Sequence, residues 1–106
     1  MDKKQWQELY QKFDKIHSDF LTDYHYYKHG KNKKIRENAS QKVYQAIDIV
    51  VQHIREYSEL YELLFDENTT EFGKSIAYGE FKEARYFGRD MSKFLEKIKK
   101  KIDSIE

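Results

Sequence analysis

Along three stretches of this chain apolar residues recur at alternating steps of three and four, and no proline interrupts them. Such spacing lines one face of an α-helix with side chains that leave water only by packing against a neighbour. The first stretch sets Trp6, Phe13, Phe20 and Tyr27 at steps of seven, flanked by Leu9, Tyr10, Ile16 and Tyr24. The second runs Val43, Ile47, Val50, Ile54, Tyr57, Tyr61 and Leu64. The third runs Ala77, Phe81, Ala84, Gly88, Met91, Leu95, Ile98, Ile102 and Ile105. The pattern predicts helices over about Lys3–Lys28, Lys34–Phe65 and Ser75–Ser104. An all-α fold follows.

Asp2 is a suitable N-cap for the first helix, and Gly30, within His29-Gly30-Lys31-Asn32, is placed to end it. Residues 66–73 read as the second turn, where Asn68, Thr69 and Thr70 offer caps. Short connections make successive helices antiparallel neighbours. The expected architecture is therefore one domain over residues 1–106, an antiparallel up-down-up three-helix bundle. A break of the third helix at Gly79 or Gly88 would raise the count to four. Wide apolar stripes also suit pairing between chains, so a homodimer is the structural alternative.

Composition narrows the classes of function. The chain has no cysteine, which removes disulfides and thiolate metal sites. Its longest apolar runs, Ile49–Val51 and Leu63–Phe65, are far too short to span a bilayer. The opening Met1-Asp2-Lys3-Lys4-Gln5-Trp6 is polar and unlike a secretory signal, so a cytoplasmic protein is expected. Lysine outnumbers arginine 16 to 4, beside abundant Tyr and Ile, a bias that suits an AT-rich bacterial or phage genome. Charged residues make up 37% but cancel to +1, so global charge names no partner.

Local charge is more informative. Lys28, Lys31, Lys33, Lys34 and Arg36 crowd the first turn. In an up-down-up bundle the end of the third helix returns to that pole, bringing Lys93, Lys97, Lys99, Lys100 and Lys101. Glu56, Glu59, Glu62, Asp66, Glu67 and Glu71 would occupy the opposite pole. Cations in the first turn of the second helix also oppose its dipole, a conflict that a docked anion would relieve. Aromatics interleave with these cations from Tyr24 to Lys34, as stacking plus phosphate contact requires.

Catalytic and cofactor signals are weak. His25 and His29 share a helical face at a spacing that can hold a metal, but no carboxylate is fixed beside them. His53-x-x-Glu56 and Asp14-x-x-His17 are not in the order of bundle di-iron sites. No nucleophile–base pair or phosphate-cradling glycine loop is readable. The sequence thus predicts no enzyme, no metal site and no cofactor.

One segment remains, the aromatic and glycine-rich run from Ala77 to Asp90. Gly88 falls on the apolar seam, where a small residue admits the rings of the first helix. Gly79, Tyr78, Tyr86 and Arg89 fall off it, and Tyr and Arg are common anchors of protein interfaces. The sequence therefore points to a small non-enzymatic helical protein of inhibitor, immunity or adaptor type. It would bind another protein through Tyr78, Gly79, Tyr86 and Arg89. The alternative is weak, sequence-independent nucleic-acid binding through Lys28, Lys31, Lys33, Lys34, Arg36, Lys97 and Lys100.

Overall fold

The computed structural model describes residues 1–64 and 84–105, except the side chains of residues 64 and 84–86. These residues form α1 (Lys3–His29), α2 (Lys33–Glu56), α3 (Ser58–Leu64) and α4 (Ala84–Ser104), with no strand among them.

α1 starts as its sequence dictates. The Asp2 carboxylate accepts the Gln5 backbone N–H at 2.8 Å, and the Gln5 side chain accepts the Asp2 N–H at 2.9 Å. This reciprocal pair satisfies two donors that a helix start otherwise leaves open. Gly30 ends α1, but not through the left-handed conformation usual for a terminal glycine: its φ is −59° and ψ 144°. Crowding explains the residue instead. A Cβ at position 30 would stand 2.6 Å from the Tyr26 carbonyl oxygen and 2.9 Å from Ile35 Cγ2. α2 then begins at once, with the Asn32 side chain accepting the Ile35 N–H at 2.9 Å.

The direction of each helix follows from which rings meet. Phe13 lies 5.6 Å from His53 of α2 and 6.0 Å from Phe94 of α4, centroid to centroid. Seven residues further along α1, Phe20 lies 4.7 Å from Phe87, which is seven residues earlier in α4. Near the start of α1, the Met1 amino group pairs with Glu59 of α3, while Arg36 of α2 reaches Gly30 at its end. α1 is therefore antiparallel to both α2 and α4, and α2 and α4 run parallel.

This corrects the up-down-up expectation. The last helix runs opposite to the direction expected from short connections. α2 also stops at Glu56 and does not continue to Phe65. Tyr57 makes the break with an extended backbone, φ −117° and ψ 105°. Its carbonyl then accepts N–H groups from Leu60 and Tyr61, so it opens α3 as it closes α2. The expected breakpoint Gly88 lies inside a continuous α4, and Gly79 lies outside the described residues.

The core is otherwise where the seams place it. Trp6, Phe13 and Phe20 are buried on α1, Val43, Ile47, Val50 and Ile54 on α2, and Met91, Leu95 and Ile98 on α4. Beyond the break the seam fails: Tyr57 and Tyr61 are exposed, and Leu60 is buried in their stead. Phe87 and Phe94, off the expected seam, are also buried and carry the contacts with α1. Gly88 fits the packing explanation, since a Cβ there would lie 3.1 Å from Phe20 Cε1.

Candidate functional site

Two surface regions combine shape with chemistry. The first lies along α2, where Ile49, His53 and Tyr57 follow one another at single-turn intervals on one edge. Ile49 and Tyr57 are each 41% exposed. A shallow groove of about 250 Å³ lies beside them, lined by Met1, Gln5, Glu8, Leu9, Lys12, His53 and Tyr57. His53 is held from both sides. Its Nδ1 stands 2.8 Å from the Ile49 carbonyl, which can only accept, so Nδ1 carries the proton. Nε2 is then an acceptor, and it takes the Lys12 ammonium at 3.0 Å. The imidazole thus links α1 and α2.

The second region surrounds Gly30. Tyr24 and Tyr27 stack at 6.1 Å, and the Lys28 ammonium sits 5.0 Å from the Tyr27 ring and 5.8 Å from the Tyr24 ring. Tyr44 of α2 lies near them. Its phenol is pushed above the usual tyrosine range, first by partial burial, then by Tyr27 and Tyr24. Next to these rings is a groove of about 400 Å³ lined by Tyr27, Lys28, Lys33, Arg36, Glu37 and Ser40.

The cations expected at one pole are split between two ends. Lys28, Lys31, Lys33, Lys34 and Arg36 do share the Gly30 end. Lys97 and Lys100 do not join them. Phe13 touches both His53 and Phe94, so one turn further along the parallel α2 and α4 Glu56 and Lys97 lie at similar heights. The lysines of late α4 therefore share an end with Glu56 and Glu59, where charges of both signs mix. Among the described residues the direction of α4 thus sets lysines beside acids rather than opposite them; Asp66, Glu67 and Glu71 lie outside the described residues.

The expected partner cluster is described only in part. Tyr78, Gly79 and the side chain of Tyr86 lie outside the described residues. Arg89 is 54% exposed, and its Nε donates to Asp90 Oδ1 at 3.2 Å. Asp90 is a residue the sequence reading passed over. It is 1% exposed on α4, a buried carboxylate. Nearby, the His17 ring nitrogen Nε2 donates to the Gly88 carbonyl at 3.0 Å, linking α1 to α4. His25 and His29 face each other with ring centroids 5.3 Å apart, and no third ligand joins them among the described residues. None of the described helices is long and apolar enough to cross a membrane.

Set beside known proteins, the chain matches no family model, no curated protein and no solved structure.

Proposed function

We propose that the chain is a non-enzymatic helical protein that acts by occupying a surface of another protein, as an inhibitor, immunity or adaptor protein does. The observation that carries this reading is the edge of α2, where Ile49 and Tyr57 remain partly exposed on either side of a fixed His53. Large rings and aliphatic side chains that do not serve the core are what interfaces bury, and tyrosine is prominent among their anchors. The adjoining groove offers a carboxylate and an ammonium, from Glu8 and Lys12, as a polar rim. We extend the surface to Tyr78, Gly79, Tyr86 and Arg89 as further contacts. The lysine-rich, proline-free composition suits a bacterial or phage source, and a second copy of the chain is one candidate occupant.

The nucleic-acid reading is weakened by the separation of Lys97 and Lys100 from the Gly30 end. What remains there is a compact groove rather than a continuous basic face.

The test compares two double variants with the parent in binding to proteins captured from the source cell. Ile49→Ala/Tyr57→Ala and Tyr86→Ala/Arg89→Ala should each leave stability within about 1 kcal/mol, as substitutions away from the core do. At least the first should weaken capture by roughly 30-fold, the equivalent of ~2 kcal/mol at an anchor pair. Unchanged capture by both folded variants would overturn the proposal.

A further inference from the structure

The groove beside Gly30 collects cations from two helices with little to neutralise them. Lys28 comes from the last turn of α1, and Lys33 and Arg36 come from the first turn of α2. One carboxylate faces them, Glu37, which lies 3.7 Å from Lys33 with both side chains mostly in water. Such an exposed pair is weak and gives way readily to a competing anion.

Arg36 is positioned rather than free. Its Nη1 donates to the Gly30 carbonyl at 2.9 Å, which fixes the guanidinium plane and leaves further N–H groups for an acceptor. Gly30 makes this possible, because a Cβ there would lie 3.0 Å from Arg36 Cγ. The flat donor fork of arginine matches the oxygens of a phosphate, and lysine supplies compact charge beside it. The start of α2 adds positive partial charge to the same groove.

Phosphate alone does not account for the shape. The volume of about 400 Å³ falls within the range of small-molecule sites, roughly 300–1,000 Å³. One wall includes Tyr27, with Ser40 as a neutral hydroxyl on the α2 side. A planar base can stack on that wall if the Lys28 ammonium moves from the ring to the phosphate. Stacking on tyrosine with cations on the backbone is the way proteins hold single nucleotides of a strand.

We propose that this groove binds a nucleoside phosphate, with the phosphate on Arg36, Lys33 and Lys28 and the base against Tyr27. The proposal stands independently of protein binding through the α2 edge. Its ligand is either a free mononucleotide or the terminal nucleotide of a single strand.

The test is calorimetric titration of the intact protein at low salt with adenosine monophosphate, adenosine, inorganic phosphate and a 5′-phosphorylated oligothymidylate. The monophosphate should bind at one site. Lys33→Gln and Arg36→Gln should each weaken it by about tenfold or more, as loss of a charge-assisted contact does. Tyr27→Leu should weaken the monophosphate while leaving inorganic phosphate unchanged. Lys97→Gln/Lys100→Gln should change nothing, since those lysines lie at the other end. An oligonucleotide that binds much more tightly than the monophosphate identifies a strand end as the ligand, and equal binding identifies the free nucleotide. The proposal is overturned if the monophosphate does not bind or if adenosine or phosphate alone binds as well. Binding that survives both Lys33→Gln and Arg36→Gln overturns it too.

Discussion

Phe20→Ala should lower the unfolding free energy by roughly 3–5 kcal/mol, the range for deleting a fully buried ring. Phe20 is 1% exposed and touches three groups at once: Phe87 at 4.7 Å, Tyr24 at 5.7 Å and the glycine at position 88. Its loss opens a cavity at the junction of α1 and α4, where rings cannot close in from a rigid helix. For a domain of this size each kcal/mol moves Tm by roughly 4–8 °C, so the effect is easily read by thermal denaturation. The same contact predicts non-additivity. Gly88→Val should destabilise the parent, because a Cβ already stands 3.1 Å from Phe20. In the Phe20→Ala background that larger side chain has space to fill, and its cost should shrink or change sign. Strictly additive effects would mean that positions 20 and 88 do not meet.

Leu60→Ala should cost about 2–5 kcal/mol, while Tyr61→Ala should cost about 1 kcal/mol or less. The two residues are neighbours in sequence, and a continuous α2 would set Tyr61 on the seam of Val43, Ile47, Val50 and Ile54 and Leu60 on the edge of that stripe. The break at Tyr57 turns the following helix so that Leu60 enters the core with no exposure and Tyr61 stays 44% exposed. Chemical denaturation of the two variants decides between these geometries. Tyr61→Ala as the more damaging change would place the helix break elsewhere.

The contrast at Tyr57 explains how far the sequence could be read. The seams of α1 and of α2 up to Ile54 were legible because one periodic assignment buries their large side chains. After Ile54 two assignments are equally periodic, Tyr57-Tyr61-Leu64 and Leu60-Leu63, and no glycine, proline or asparagine marks the change. Only the tertiary preference for Leu60 over two phenols separates them. The end at which Lys97 and Lys100 stand follows from the direction of α4, which helical periodicity alone does not encode. A clue to α4 was present all the same. Phe87 and Phe94 are spaced by seven, as are Phe13 and Phe20, and that matched spacing suits paired rings along two helices.

The candidate surfaces were legible to a different degree. The cations around Gly30 are close in sequence, so their grouping required only a turn between two helices. The edge of α2 is not readable from the sequence, because the periodic spacing sets Tyr57 on the buried seam. Asp90 was hidden for the opposite reason. A carboxylate beside an arginine reads as surface, and nothing local says that α4 turns it inward while Arg89 reaches out.

The direction of α4 is the point on which the placement of charge and the functional argument both turn, and a single distance tests it. The chain has one tryptophan and no cysteine, so Trp6 can serve as the only indole donor to an acceptor on one introduced thiol. Energy transfer should be measured to an acceptor at Lys100→Cys and, separately, at Lys31→Cys. Position 31 lies beyond the far end of α1, about 38 Å from Trp6 at ~1.5 Å per residue. With α4 antiparallel to α1, position 100 lies beside the first turns of α1, so transfer to it should be strong and transfer to position 31 weak. Weak transfer to both positions would show that the end of α4 has returned to the Gly30 turn, and would contradict the account.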